Sequence, residues 1–227
     1  VNFENTRRLA VDDRPIDALL AGYAARTLEP PLLALIAAHL EMVPDNRAYV
    51  TALEAAHGIF LSGLDPVPLV GRDRRLVNIF ASTASETTDG PCSACPQDSP
   101  DVNTIPFSLR GLLGDDLASL AFRPVAAGVE RVIVATGAYG EASVLKCRPH
   151  LGFRAHGHSG LAAMLVLSGS FSDERGTYGC GAVSVADETY IHQPTVGPDG
   201  LVCFMVARDR LEARGRIRSL ISRVLGD

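Results

Sequence analysis

Three histidines have the spacing of a metal site. In the stretch RAHGHSGLAAMLVLSG, His156 and His158 flank a single glycine, and His192 follows in GAVSVADETYIHQPTV, eleven residues after Gly181. Residues two apart in extended backbone point to the same side, so both imidazoles of the pair can reach one ion. Neutral imidazole suits zinc, iron, nickel and copper. Three such ligands leave one or more positions for water, a ligand or a substrate. The pattern therefore predicts a divalent metal, with zinc a candidate, at His156, His158 and His192. His150 lies six residues before His156 and could add a nitrogen, but its place after Pro149 reads as a solvent-facing turn. Cys92-X2-Cys95 could be half a zinc knuckle or a redox pair. With no second such pair or nearby histidine, it reads as two exposed thiols. Cys147 and Cys203 fall in apolar strand runs and read as core, while Cys180, between two glycines, reads as a turn residue.

The histidines need strands to hold them. From residue 107 onward, short β-branched runs alternate with glycine turns: VERVIVAT at 129–136, ASVLKCR at 142–148, AAMLVLSG at 162–169, AVSVAD at 182–187 and LVCFMVA at 201–207. Short strands at this spacing indicate a sandwich or barrel, and in a double-sheet jelly roll the two histidine segments become neighbours. Upstream, residues 13–84 have helical periodicity. Ile16, Leu19, Leu20 and Tyr23 form one stripe; Leu32, Leu35, Ile36, His39, Leu40 and Val43 form a second, opened by Pro30-Pro31 and stopped by Pro44. Asp45 is placed to cap a third helix that would bury Tyr49, Leu53, Ala56 and Phe60, and a fourth spans 76–83. Together they predict a compact helical module. Between the two regions, residues 85–106 are rich in Ser, Thr, Pro and Asp and lack Lys and Arg, the composition of a linker. The chain thus divides into a helical domain at 1–84, a linker at 85–106, a β domain at 107–207 and a C-terminal helix at 208–227. The fold class is α+β in two modules.

Composition excludes several classes. A formal charge of −5 argues against direct nucleic-acid binding, which needs a basic face. The six arginines of residues 208–227 read as a solvated helix face. The longest apolar helical stretch, LLALIAAHLEM at 32–42, is too short to span a membrane and carries His39 and Glu41. The first residues, VNFENTRRLAVDD, lack the apolar core of a signal peptide. Five scattered cysteines do not make a disulfide framework. The expected location is the cytoplasm.

The histidine segments resemble the cupin motifs. In the first motif His156, His158 and Gly169 match, while Ala162 stands where cupins place a glutamate and His150 where they place a glycine. In the second, Gly181 and His192 match, while Asp187, Thr189 and Val196 depart from it. Joined to a small helical domain, this arrangement resembles the ChrR-like anti-sigma factors, zinc-dependent proteins that hold an ECF sigma factor inactive. The stretches DALLAGYAARTL at 17–28, AAHLEMVPDNRAYV at 37–50 and HGHSGLAAMLVLSGSFSDE at 156–174 carry the resemblance. It implies a cupin jelly roll at 107–207 and a sigma-factor partner for the helices. That family also holds zinc in its helical domain through a His-X3-Cys-X2-Cys set and an upstream histidine. Here only His39 remains: Val43 and Asn46 occupy the cysteine positions, and the upstream position falls near Arg14. The resemblance therefore implies a degenerate N-terminal zinc site, with His39 a core-edge histidine.

Two functions follow from this reading. The first is a regulator that binds an ECF sigma factor through its helices and senses a signal through its cupin. The second is a metal-dependent, oxygenase-like cupin enzyme using the position opened at Ala162, with Tyr178, Glu174 and Tyr190 as acid–base candidates by proximity. Beside these two stands a third reading, a metal-free small-molecule-binding cupin. The resemblance across both modules puts the regulator first.

Overall fold

The computed structural model describes residues 14–68, 70–81 and 105–208. Cys92, Cys95 and the expected C-terminal helix beyond residue 208 lie outside them. Five helices precede the sheet: α1 (Arg14–Ala24), α2 (Pro30–Met42), α3 (Asp45–Ser62), α4 (Arg72–Ala81) and α5 (Phe107–Leu113). Pro30 and Pro31 open α2, where the missing amide hydrogens cost nothing. Val43 and Pro44 close it. The cap position of α3 is Pro44 and not Asp45, and no side chain caps it. Asp45 instead sits in the first turn, where its charge favours the positive helix end.

The helical module departs from the expected compact unit in its second half. Leu19 and Leu20 of α1 and Leu35, Ile36 and Leu40 of α2 are buried as their periodicity requires. On α3 only Val50 is buried, whereas Tyr49 is 44% and Phe60 77% exposed, so the expected inward face is not formed. The reason lies in reach. Only the first part of α3 has α1 and α2 beside it, and beyond Leu53 its large apolar side chains Ile59, Phe60 and Leu61 are not buried by any described residue. Helix α4 buries nothing.

The helical pattern also extends further than expected. Ile105, assigned to the linker, is 1% exposed, and α5 replaces the expected first strand residues. Leu109 and Leu113, one turn apart on α5, are buried against α2. Glu41 of α2 fastens this helix by accepting from the Ser108 amide at 3.0 Å and from the Ser108 hydroxyl.

Seven strands follow: β1 (Arg123–Ala126), β2 (Val129–Gly137), β3 (Gly140–Cys147), β4 (Ala162–Asp173), β5 (Gly176–Tyr178), β6 (Val183–Ala186) and β7 (Thr195–Ala207). All pairings are antiparallel, in the order β1-β2-β3-β7-β4-β5, with β6 also paired to β4. The order is open. Gly169, at φ +75, lets β4 pass the Gly200 carbonyl of the β7 strand; a Cβ there would stand 2.0 Å from that oxygen.

Both faces of the central strands are covered. Ala142, Val144, Ala163, Leu165, Phe204 and Val206 share one core with Leu20, Leu35 and Ile36 of the helices. The alternate residues, among them Leu145, Met164, Cys203 and Met205, line a cavity on the other side. Strands buried on both faces read as nearly continuous apolar runs, as LVCFMVA does. One β wall thus separates the helical module from the cavity.

Candidate metal centre

The chain enters the site twice, before β4 and before β7. A pair of backbone hydrogen bonds joins the two passes: the His156 amide donates to the His192 carbonyl and the His192 amide to the His156 carbonyl, both at 3.0 Å. This bridge sets the two rings side by side, 4.6 Å between centroids. His158, two residues on, brings its ring to 5.3 Å from each. One nitrogen from each imidazole lies within 4.8 Å of the others, and among the described residues this is the group able to hold a metal ion.

Neighbouring oxygens fix which nitrogen faces inward. His156 Nδ1–H donates to the Arg154 carbonyl at 2.9 Å. His192 Nδ1–H donates to Asp173 Oδ2 at 3.1 Å, and the Asp173 side chain is fully buried. Both rings therefore turn the Nε2 lone pair toward the centre, the arrangement that outer oxygens impose on metal-binding histidines. His158 Nε2 stands 3.1 Å from His192 Nε2. Two nitrogens each about 2.0–2.1 Å from one zinc ion can lie at such a separation, so the residues fit the ion. Burial lowers the pKa of His156, which keeps it neutral and able to ligate.

The triad opens on a cavity of about 260 Å³. Ala162, at the glutamate position of the resemblance, is on its wall, and Leu145, Phe153, Met164 and Met205 make the lining apolar. A buried ion pair between Arg131 and Glu141 shares that lining. Cys147 and Cys203 line it too; burial pushes the Cys147 thiol up to about 12 and that of Cys203 well above its ordinary value. Both stay protonated, as core thiols do.

Other candidate residues take structural places. His150 is exposed, in a turn at φ +57. Tyr178 stacks on Phe171 at 4.7 Å, Glu174 accepts from the Gln193 amide at 3.1 Å, and Arg175 covers the Tyr190 ring at 3.4 Å. None of these lines the cavity. Cys180 is exposed and its thiol donates to the Leu167 carbonyl at 3.2 Å.

Sequence reasoning missed Asp173 and the Arg131–Glu141 pair. Asp173 sits in SDERG, which reads as a turn. Arg131 was the more legible: it shares the inward phase of Val129, so a charge faced the interior of an apolar strand.

In the helical module, His39 is 3% exposed. Its Nδ1–H donates to the Gly181 carbonyl at 2.7 Å, and its Nε2 accepts from the Asn46 amide at 2.8 Å. Gly181 (φ +83) permits this contact, because a Cβ would stand 2.8 Å from Val43. Val43 and Asn46, at the positions where the resemblance implies cysteines, thus hold the helices against the barrel, one by packing and one through His39.

An antiparallel jelly roll in which an HXH segment is bridged to a third histidine over an apolar cavity defines a cupin domain, here with a helical module on its outer face. Residues 114–212 match the ChrR Cupin-like domain. Over 191 residues the chain is 32% identical to the anti-sigma-E factor ChrR of Cereibacter sphaeroides, covering 84% of this chain and 86% of that protein. The crystal structure of Rhodobacter sphaeroides SigE in complex with the anti-sigma ChrR contains a chain that matches at a TM-score of 0.66 and 29% identity, over 84% of this chain and 96% of that one. The chain belongs to the ChrR family of anti-sigma factors. No helix among its described residues is long and apolar enough to cross a membrane.

Proposed function

We propose that this protein is a cytoplasmic anti-sigma factor whose helices hold a sigma factor and whose cupin carries a divalent metal at His156, His158 and His192. The observation that carries the partner is the far half of the helical module. Ile59, Phe60 and Leu61 at the end of α3, Leu64, Val67 and Val70 after it, and Val77 and Phe80 on α4 are each at least 64% exposed. Large apolar side chains exposed in this number over one stretch of chain mark an interaction site. Burying one such side chain contributes about 1.5–3 kcal/mol, so a partner covering several of them supplies what the isolated module lacks. The relationship to ChrR names the partner class: the related crystal structure pairs an anti-sigma ChrR with SigE.

The metal reading rests on the tautomers that Arg154 and Asp173 impose. A bound zinc ion would act as a Lewis acid or as a structural tie between the two histidine segments. In this site the protein's own part is to aim three imidazole nitrogens at one point and to keep an apolar cavity beside them. The module needs no metal of its own, because both ring nitrogens of His39 are already taken.

Co-expression with the sigma factors of the source genome, followed by affinity purification and a run-off transcription assay, tests the partner. One sigma factor is expected to copurify in equal amount and to lose activity when bound. Phe60→Glu combined with Phe80→Glu should weaken that complex at least 100-fold without changing the circular dichroism spectrum. Failure of every sigma factor to copurify would overturn the proposal.

A further inference from the structure

The triad supplies three nitrogens and no charge. At the position where the cupin motif has a glutamate, the chain places Ala162, and Ala162 lies on the cavity wall with His156, His158 and His192. A divalent ion held there would therefore keep its full charge and face an apolar space. Among the charged residues that line this space, Arg131 and Glu141 are paired with each other, so neither is left to compensate the ion or to attract a second charge. Asp173 is spent on His192 and on the Arg175 amide, which it accepts at 2.9 Å. The charge calls for an anion from outside the chain. Carboxylate oxygens are ordinary zinc ligands, and an uncompensated ion in low-dielectric surroundings attracts an anion far more strongly than it would in water.

The cavity limits what that anion can carry. Its volume of about 260 Å³ is small against the roughly 300–1,000 Å³ of most ligand pockets. Leu145, Phe153, Met164 and Met205 on the wall offer contact to carbon and no hydrogen bonds. Against these four side chains a second carboxylate or a polar tail would lose its water without finding a partner; the polar groups of the lining, Thr136, Ser184 and the Arg131–Glu141 pair, are separate from them.

We infer that the cupin binds a small monocarboxylate with an apolar body, its carboxylate taking the place left by Ala162 at the three imidazoles. The body lies against Leu145, Phe153, Met164 and Met205. This inference rests on the metal reading above and names the ligand class of the same site. It also gives the cupin a signal to sense, since the cavity lies behind the β wall on which the helices pack.

The test uses the full chain loaded with cobalt(II), whose visible spectrum reports both binding and ligand set. Cobalt alone should give a visible band that His156→Ala abolishes. Hexanoate should then change that band saturably, while hexanamide at equal concentration leaves it unchanged, and acetate should need at least tenfold more than hexanoate. Ala162→Glu should give a cobalt band already shifted as hexanoate shifts that of the wild type, with no further response to hexanoate; the hexanoate and hexanamide arms decide the matter on the wild-type chain even if that variant fails to fold. No cobalt band in the wild-type chain overturns the metal reading and this inference with it. A cobalt band that ignores hexanoate, or that responds equally to hexanamide, overturns this inference alone.

Discussion

His39 and His192 are alike in most respects that sequence patterns reward. Each is buried, at 3% and 5% exposure, and each donates Nδ1–H to an oxygen, the Gly181 carbonyl at 2.7 Å and the Asp173 carboxylate at 3.1 Å. They part at Nε2. That of His39 accepts a hydrogen bond from the Asn46 side-chain amide at 2.8 Å, while that of His192 shares a hydrogen bond with the Nε2 of His158 at 3.1 Å. An amide can only donate and keeps that lone pair engaged, whereas a neighbouring imidazole can carry its proton on the other ring nitrogen and turn its own lone pair to the same ion. Burial and an orienting oxygen make a well-held histidine; what the second nitrogen meets decides whether it is a ligand.

The comparison can be broken by changing what each Nε2 meets. The largest effect is expected from giving His39 its thiolates: combining Val43→Cys with Asn46→Cys should raise zinc bound per chain by one, read by metal analysis after dialysis. Removing the oxygen behind His192 comes next. Asp173→Ala should weaken metal binding about 10–100-fold, measured by competition with a chromogenic chelator, with the three ligands intact. The reverse change on the other side is smaller and has a different readout. His39→Leu leaves the buried Gly181 carbonyl without its donor, which costs about 1–3 kcal/mol; urea unfolding should show that loss while metal content stays unchanged.

The smallest effect is that of pH. Burial holds His39 and His156 below the ordinary imidazole value of 6.5. The unfolded chain then binds protons that the folded chain refuses, so stability is full above about pH 6.5 and falls as pH drops below it. Urea midpoints of metal-free protein between pH 8 and pH 5 should decline in that direction, and His39→Leu should flatten the slope.

Much of the fold was legible because it rests on local patterns. The stripes of α1 and α2 are buried as spaced, and the histidine segments meet because alternation and the jelly roll leave them few other places. What escaped depends on neighbours. The stripe of α3 looked like a core face, yet nothing among the described residues buries Phe60. Leu109 and Leu113 sat beside a linker composition that hid a helix. Asp173 looked like turn chemistry because its target, His192, lies nineteen residues on. Nor could spacing show that His39 holds the helices to the barrel through the Gly181 carbonyl.

The central claim is that the barrel histidines hold a metal and the helical histidine does not. Metal content of the purified full chain, compared with His192→Ala and His39→Ala, tests it most directly. About one divalent ion per chain is expected in the wild type and in His39→Ala, with content near zero in His192→Ala. Loss of metal in His39→Ala, or its retention in His192→Ala, would contradict the account.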